Sequence, residues 1–157
     1  MTDVVSSAKR SQMMSGIRCK DSAPELLVRK TLFAMGYRFR LHRRDLPGTP
    51  DIVMSGRKIV IFVHGCFWHA HQGCKYAKTP STRIEFWSAK LQGNFDRDRR
   101  AVAKLAEAGW RVLNVWECST RDPKAAAGLP EILRRWINSD AQVGEISAQS
   151  LMAARQT

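Results

Sequence analysis

The stretch from Gly65 to Pro80 limits what this chain can become more than any other part of it. Cys66, His71 and Cys74 fall within nine residues, among Phe67, Trp68, His69 and Tyr76, and Cys118 follows well downstream. The stretch shows neither the period of a strand nor that of a helix. It is too polar for a core strand and too dense in ligand types for an idle loop. Three thiolates and one imidazole make a closed tetrahedral Zn²⁺ set. The C-x4-H-x2-C spacing lets three ligands converge without regular structure, and Cys118 would pin the loop to the end of a strand. A long irregular loop needs such a tie. The plain alternative makes Cys118 a small buried core residue and the other three incidental. His69 competes with His71 for the imidazole position. Cys19 is a fifth candidate, better read as a free thiol. A closed set leaves no open position, so this zinc is expected to be structural. The H-x-E and P-C-x-x-C signature of zinc deaminases is absent.

The flanking elements follow from pattern. Ser22-Ala23-Pro24-Glu25 reads as a capping box, opening a helix that carries Leu26, Leu27, Leu32 and Phe33 and stops at Gly36. Tyr37, Phe39 and Leu41 alternate with Arg38, Arg40 and His42, the period of a half-buried strand. Asp51 to Met54 is a short strand, Ser55-Gly56 a turn, and Lys58 to His64 a buried strand. Thr82-Arg83-Ile84-Glu85 reads as a second capping box. Its helix runs to about Ala108, with Gly93 as a weak point and Gly109 as the stop. Trp110 to Trp116 is strand-like, and Leu129 to Ile137 is a closing helix. Short turns join the early strands, and a long helical crossover precedes the last. The expected fold is therefore α/β, a mixed sheet flanked by helices with a zinc loop. Residues 1–21 form a basic arm, 22–138 the folded domain, and 139–157 a tail or loosely docked segment.

Charge narrows the partners. Lys and Arg number 26 against 14 Asp and Glu, a net charge of +12. Residues 1–44 carry ten of the basic residues against Asp3, Asp21 and Glu25. Five Trp, six Phe and two Tyr accompany them. Basic clusters with aromatics favour nucleic acid over an anionic membrane, though a solvated basic surface is the plainer reading. The longest apolar run, Ile59 to Val63, is far short of the roughly 18 residues of a membrane span. Met1 to Ser7 has no apolar core of a secretory signal. Four cysteines in a chain this long suit a reducing compartment, so an intracellular, cytoplasmic protein is expected.

Asp51 opens one strand of a hairpin, and its neighbour ends at Phe62-Val63-His64. Magnesium-dependent nucleases use P-D…(D/E)-x-K on such a hairpin. Here Phe62 stands at the second acidic position and His64 at the lysine position. The ion would rest on Asp51, a backbone carbonyl and water. His69 is a candidate general acid or base, which Asp98 on the following helix could orient. Taken singly, Asp51 is equally a turn residue and His64 a strand-end histidine.

At Leu46-Pro47-Gly48-Thr49-Pro50-Asp51, His64-Gly65-Cys66-Phe67-Trp68-His69, Thr82 to Trp87, Asp98-Arg99-Arg100, Gly109 to Leu113 and Val115-Trp116-Glu117-Cys118, the chain resembles the very short patch repair (Vsr) mismatch endonucleases of bacteria. The resemblance runs from about Arg10 to Trp136. It implies a restriction-endonuclease-like fold, a PD-(D/E)XK variant, with a structural zinc. The implied activity is a nick 5′ to the thymine of a T·G mismatch left by deamination of 5-methylcytosine. By motif, Asp51 binds Mg²⁺ with the backbone carbonyl of Val63. His69 is the base, His64 assists at the scissile phosphate, Asp98 supports His69, and Glu25 lies near the site. Phe67, Trp68 and Trp87 resemble the aromatics that wedge into DNA, and Met14 the arm residue that enters from the minor groove. A monomer is expected, linked in function to a DNA cytosine methyltransferase, a repair polymerase and a ligase. Two departures stand out. Val63 occupies a position where better-known members carry threonine, and the loop His71-Gln72-Gly73-Cys74 is one residue longer. Two other functions fit the residues: a zinc-stabilised DNA-binding module without catalysis, and a nuclease of this fold acting on unmismatched DNA or RNA. A pure binder has no need of a strand-end carboxylate facing a histidine, and aromatic wedges are wasted on plain duplex.

Overall fold

The computed structural model describes residues 22–78 and 80–150. The basic arm, with Met14 and Cys19, lies outside the described residues. The elements in chain order are α1 (Ala23–Ala34), β1 (Arg40–Leu41), β2 (Ile52–Met54), a 3₁₀ turn (Ser55–Arg57), β3 (Ile59–His64), α2 (Ile84–Glu107), β4 (Arg111–Trp116), α3 (Cys118–Arg121), α4 (Pro123–Ala127), α5 (Leu129–Ile137) and β5 (Val143–Ile146).

The sheet order is β1-β2-β3-β4-β5. β1, β2 and β3 are antiparallel neighbours, whereas β3, β4 and β5 run parallel. The expected mixed sheet between helices is borne out. Alternation along the strands sends side chains to two cores. Ile59 and Ile61 join Leu113, Val115 and Ile146 beneath α1, α4 and α5, where Val28, Leu32, Ala125, Leu129, Leu133 and Ile137 are buried. Val60, Phe62 and Val112 face the other way, onto Leu105 of α2 and Trp110. Being covered on both faces, β3 is apolar almost throughout.

Several local expectations are corrected. β1 is only two residues long, because Tyr37 and Phe39 pack on the first core before strand pairing begins. Neither capping box forms. Ser22 makes no side-chain cap bond, and the Glu25 carboxylate that should complete the box is turned inward and only 2% exposed. The second box is out of frame: α2 starts at Ile84, after Arg83 in a left-handed conformation (φ 54°). Leu26 and Phe33 lie on the solvent side of α1, and the buried face is Glu25, Val28 and Leu32. α2 continues unbroken through Gly93.

The segment from 139 onward is not wholly a tail. Val143–Ile146 pair with β4, which carries the folded unit past the expected limit at 138. Arg111 fastens this edge by donating to the carbonyls of Trp136 (2.8 Å), Ile137 (3.0 Å) and Ala141 (2.8 Å). Gly144 lies directly under the Trp136 indole, where an added Cβ would come within 2.1 Å of Nε1.

The loop before β2 is equally constrained. A Cβ on Gly48 (φ 74°) would meet the Ala101 Cβ at 2.7 Å and the Phe62 ring at 3.2 Å. Only glycine lets Leu46–Pro50 lie flat against α2 and deliver Asp51 to the mouth of the sheet.

Candidate active site and metal centre

Every histidine of the chain belongs to one of three side-chain clusters, and all three gather near the C-terminal end of β3. The first holds Glu25, His42 and Asp51, whose ligand atoms lie within 4.8 Å of one another. Asp51 sits just before β2, and the Val63 backbone N–H from β3 donates to its Oδ2 at 2.7 Å. Glu25, in the first turn of α1, accepts at Oε1 from Arg29 (2.8 Å) and from His42 Nε2 (2.5 Å). Burial, with the like charge of Glu25 adding to it, lifts the Asp51 carboxyl to about 6 against the bond from Val63. Two carboxylates forced this close are a fitting cradle for a hard divalent cation.

The second cluster holds His64, His69 and Asp98. His69 Nδ1 donates to Asp98 Oδ2 on α2 at 2.5 Å, leaving Nε2 as the nitrogen able to take a proton. The His64 ring lies face to face on His69, with centroids 3.9 Å apart and planes 7° off parallel. Burial, reinforced by the His69 charge, drives the His64 imidazole down to about 3, so it stays neutral. Its Nδ1 is buried and unpartnered among the described residues.

The third cluster is Cys66, His71, Cys74 and Cys118, again within 4.8 Å. Cys118 N–H donates to Cys66 Sγ at 3.3 Å, Ala148 N–H donates to Cys118 Sγ at 3.3 Å, and His71 Nδ1 lies 3.7 Å from Cys118 Sγ. A side-chain hydrogen bond between the free Cys66 and Cys118 raises the Cys66 pKa and brings that of Cys118 down to about 5. Thiolate character is thus already favoured at one ligand. The donor set suits zinc, and His71 rather than His69 is the imidazole that joins it. The longer His71–Cys74 loop does not prevent this, because Gly73 takes the left-handed conformation (φ 71°) that the tight return requires.

The second and third clusters are joined by rings. His71 stacks on Trp116 (4.1 Å, 4°), the edge of Trp116 meets His64 (5.3 Å, 74°), and His64 lies on His69. Phe67, Trp68 and Trp87 form a separate group, all half-buried, with Phe67 edge-to-face on both indoles at 5.0 and 5.4 Å and the two indoles tilted at 5.9 Å. Phe67, Trp68 and His69 line a cleft of about 930 Å³ together with Asp98, Lys90 and Arg97. Asn94 Nδ2 holds the Trp68 carbonyl at 2.8 Å.

Sequence reasoning passed over three residues here. His42 was legible only as a polar member of an alternating run, Trp116 only as a strand residue, and Arg29 only as helix surface. The i, i+4 spacing of Glu25 and Arg29 was the one available signal.

A family model described as DNA mismatch endonuclease Vsr matches residues 2–75. The chain is 42% identical over 153 residues to the DNA mismatch endonuclease Vsr of Escherichia coli (strain K12), covering 96% of this chain and 97% of the relative. The chain belongs to the Vsr family of DNA mismatch endonucleases. It is also 52% identical over 122 residues to the Type II nicking enzyme V.XorIIP of Xanthomonas oryzae pv. oryzae, covering 78% of this chain and 89% of the relative. To V.NmeAIP of Neisseria meningitidis it is 41% identical over 122 residues, 78% and 86% of the two chains. Membership in Vsr bears out the expected resemblance and the expectation of an enzyme rather than a bare binding module. Among the described residues no helix is long and apolar enough to cross a membrane.

Proposed function

We propose that this Vsr protein is a Mg²⁺-dependent, strand-specific nicking endonuclease that cuts 5′ to the thymine of a T·G mismatch. The observation that carries this reading is the juxtaposition of two clusters beside one cleft. A histidine oriented by a carboxylate, His69–Asp98, lines the cleft together with Val63, whose backbone N–H holds the Asp51 carboxylate of the Glu25–Asp51 pair.

The reading as a PD-(D/E)XK variant is supported by Asp51 at the head of β2 and the antiparallel pairing of β2 with β3. Phe62 and His64 occupy the remaining motif positions. Asp51 and the Val63 carbonyl would hold Mg²⁺, whose charge would offset the negative charge that grows on the scissile phosphate. His69 Nε2 takes a proton from the attacking water, while Asp98 keeps the ring in the tautomer that can do so. Neutral His64 fixes the plane of His69 and faces the phosphate without binding a proton. Val63 contributes only its backbone, so this chain lacks any hydroxyl contact a threonine would give. Cys66, His71, Cys74 and Cys118 would hold zinc, whose closed shell supplies stability rather than chemistry. Phe67, Trp68 and Trp87 are the wedge, with Met14 of the arm entering from the minor-groove side.

Such mismatches arise where 5-methylcytosine deaminates. A cytosine methyltransferase is therefore the companion activity, and a polymerase and ligase must complete the repair. The deciding experiment uses labelled duplexes that differ only in T·G or T·A at one position, with Mg²⁺ and with EDTA. Nicking is expected on T·G with Mg²⁺ alone. Equal cutting of both duplexes, or cutting in EDTA, defeats the reading.

A further inference from the structure

His42 is unusual for an unassigned residue. Its backbone is left-handed (φ 48°), a conformation that costs a non-glycine residue energy and persists where surrounding structure imposes it. Its backbone N–H donates to the Asp51 carbonyl at 3.1 Å. Its side chain turns back across the site, placing Nε2 2.5 Å from Glu25 Oε1 and 3.9 Å from Asp51 Oδ1. One residue thus reaches both acidic groups, one of them from two directions.

A carboxylate oxygen only accepts, so Nε2 is the donor to Glu25. Arg29 donates to the same oxygen from one turn along α1. Its Nη2 also lies 3.3 Å from His42 Nε2, and a nitrogen beside a guanidinium is a poor direct ligand for a cation. His42 therefore acts through Glu25. Arg29 alone would draw the Glu25 carboxylate along its own helix, whereas His42 draws it across, toward Asp51. The left-handed turn at residue 42 lets the chain leave β1, bond the Asp51 backbone and still face α1.

We propose that His42 is a positioning residue of the cation site, holding the buried Glu25 carboxylate in register with Asp51 so that the two bind one divalent ion together. This rests on the reading of Asp51 as a metal ligand. Partners that orient a metal's immediate ligands typically change affinity by roughly 10–100-fold when removed.

The test titrates the full-length protein with Mn²⁺, followed by electron paramagnetic resonance of the free ion, with zinc content and circular dichroism as controls. His42→Gly removes the imidazole and suits the left-handed backbone. His42→Leu removes it while keeping a side chain. His42→Gln keeps an N–H donor. Asp51→Asn tests the ligand itself. The Gly and Leu variants should weaken Mn²⁺ binding roughly 10–100-fold, and the Gln variant should recover most of that loss. Nicking by the Gly variant should be restored by raising Mg²⁺, while the KM for DNA stays unchanged. If Asp51→Asn abolishes binding while both His42 deletions bind as wild type, the positioning role is overturned and the ligand reading stands. If Asp51→Asn itself binds as wild type, the ligand reading falls, and the role of His42 with it.

Discussion

The imidazole of His64 lies flat on that of His69, 3.9 Å away and 7° from parallel, while Asp98 holds His69 in the plane of its ring. The His69 ring is therefore fixed both across its face and along its edge, and Nε2 has one direction left to point. A base held this way contributes roughly 10²–10⁴-fold to a rate. His69→Ala should lose about that much in single-turnover nicking of T·G duplex while still binding it. Asp98→Asn should lose rate without losing affinity, because the amide can support the wrong tautomer. Nicking by His69→Ala near the wild-type rate would remove His69 from the mechanism.

Asp51 provides a prediction about pH. Its carboxyl titrates near 6 in the folded protein, against about 3.9 in an unfolded chain. Between those values the native state holds more protons than the unfolded one. Stability without added Mg²⁺ should therefore fall as pH rises through this window, by at most about 3 kcal/mol. Added Mg²⁺ should reverse the trend above pH 6, since the ion competes with the proton. Thermal melts from pH 4 to 7.5, with and without Mg²⁺, measure both effects. Asp51→Asn should flatten both. A wild-type melting temperature that is insensitive to Mg²⁺ at pH 7.5 contradicts the assignment.

Cys118 joins the Cys66–Cys74 loop to the end of β4 and, through Ala148, to the segment after β5. Binding energy at such a site is folding energy. Cys118→Ser should lower zinc content and melting temperature together. Because His71 backs Trp116 and Trp116 backs His64, the variant's remaining folded fraction should also nick more slowly than wild type. Elemental analysis, melting and active-fraction kinetics on one preparation decide this. A zinc-free protein that melts and nicks as wild type rules out a zinc role at this cluster.

What the sequence revealed and what it hid have physical causes. The two central strands were readable because β3 and β4 are covered on both faces and so run apolar. The convergence of Cys66, His71, Cys74 and Cys118 was readable because thiols and imidazoles have few other reasons to cluster. β5 was not, because Val143-Gly144-Glu145-Ile146 has exposed residues at two of its four positions and a glycine at a third. That glycine weakens any strand signal, yet it is there to admit the Trp136 ring. The first capping box misled because the Glu25 side chain is engaged by Arg29 and His42, a tertiary demand that local spacing does not reveal. His42 stayed hidden for the same reason: its role depends on a backbone turn and on α1, which packs beside it from 17 residues earlier in the chain.

Mismatch selectivity should reside in Phe67 and Trp68. Adjacent residues cannot both enter one core, and here they turn edge-to-face on each other and pack on Trp87 at the wall of the cleft. Mutual packing keeps the rings rigid, and half-burial leaves each with a face for a base. Inserting them requires opening a base step, which costs a few kcal/mol and costs least at a mispair. Each stacked base returns about 1–3 kcal/mol. The balance therefore favours T·G over a Watson–Crick pair. Phe67→Ala and Trp68→Ala should each weaken T·G binding by about 5–150-fold, the same free energy expressed as a ratio, and matched-duplex binding much less. The salt slope should stay nearly constant, because Lys90 and Arg97 at the cleft wall and the rest of the basic surface remain to meet phosphates. The measurement is a titration of both variants, checked for zinc content and folding, with both duplexes at two salt concentrations. Equal losses on matched and mismatched DNA would show that the aromatics only pack the loop. Discrimination would then have to come from contacts to the bases themselves.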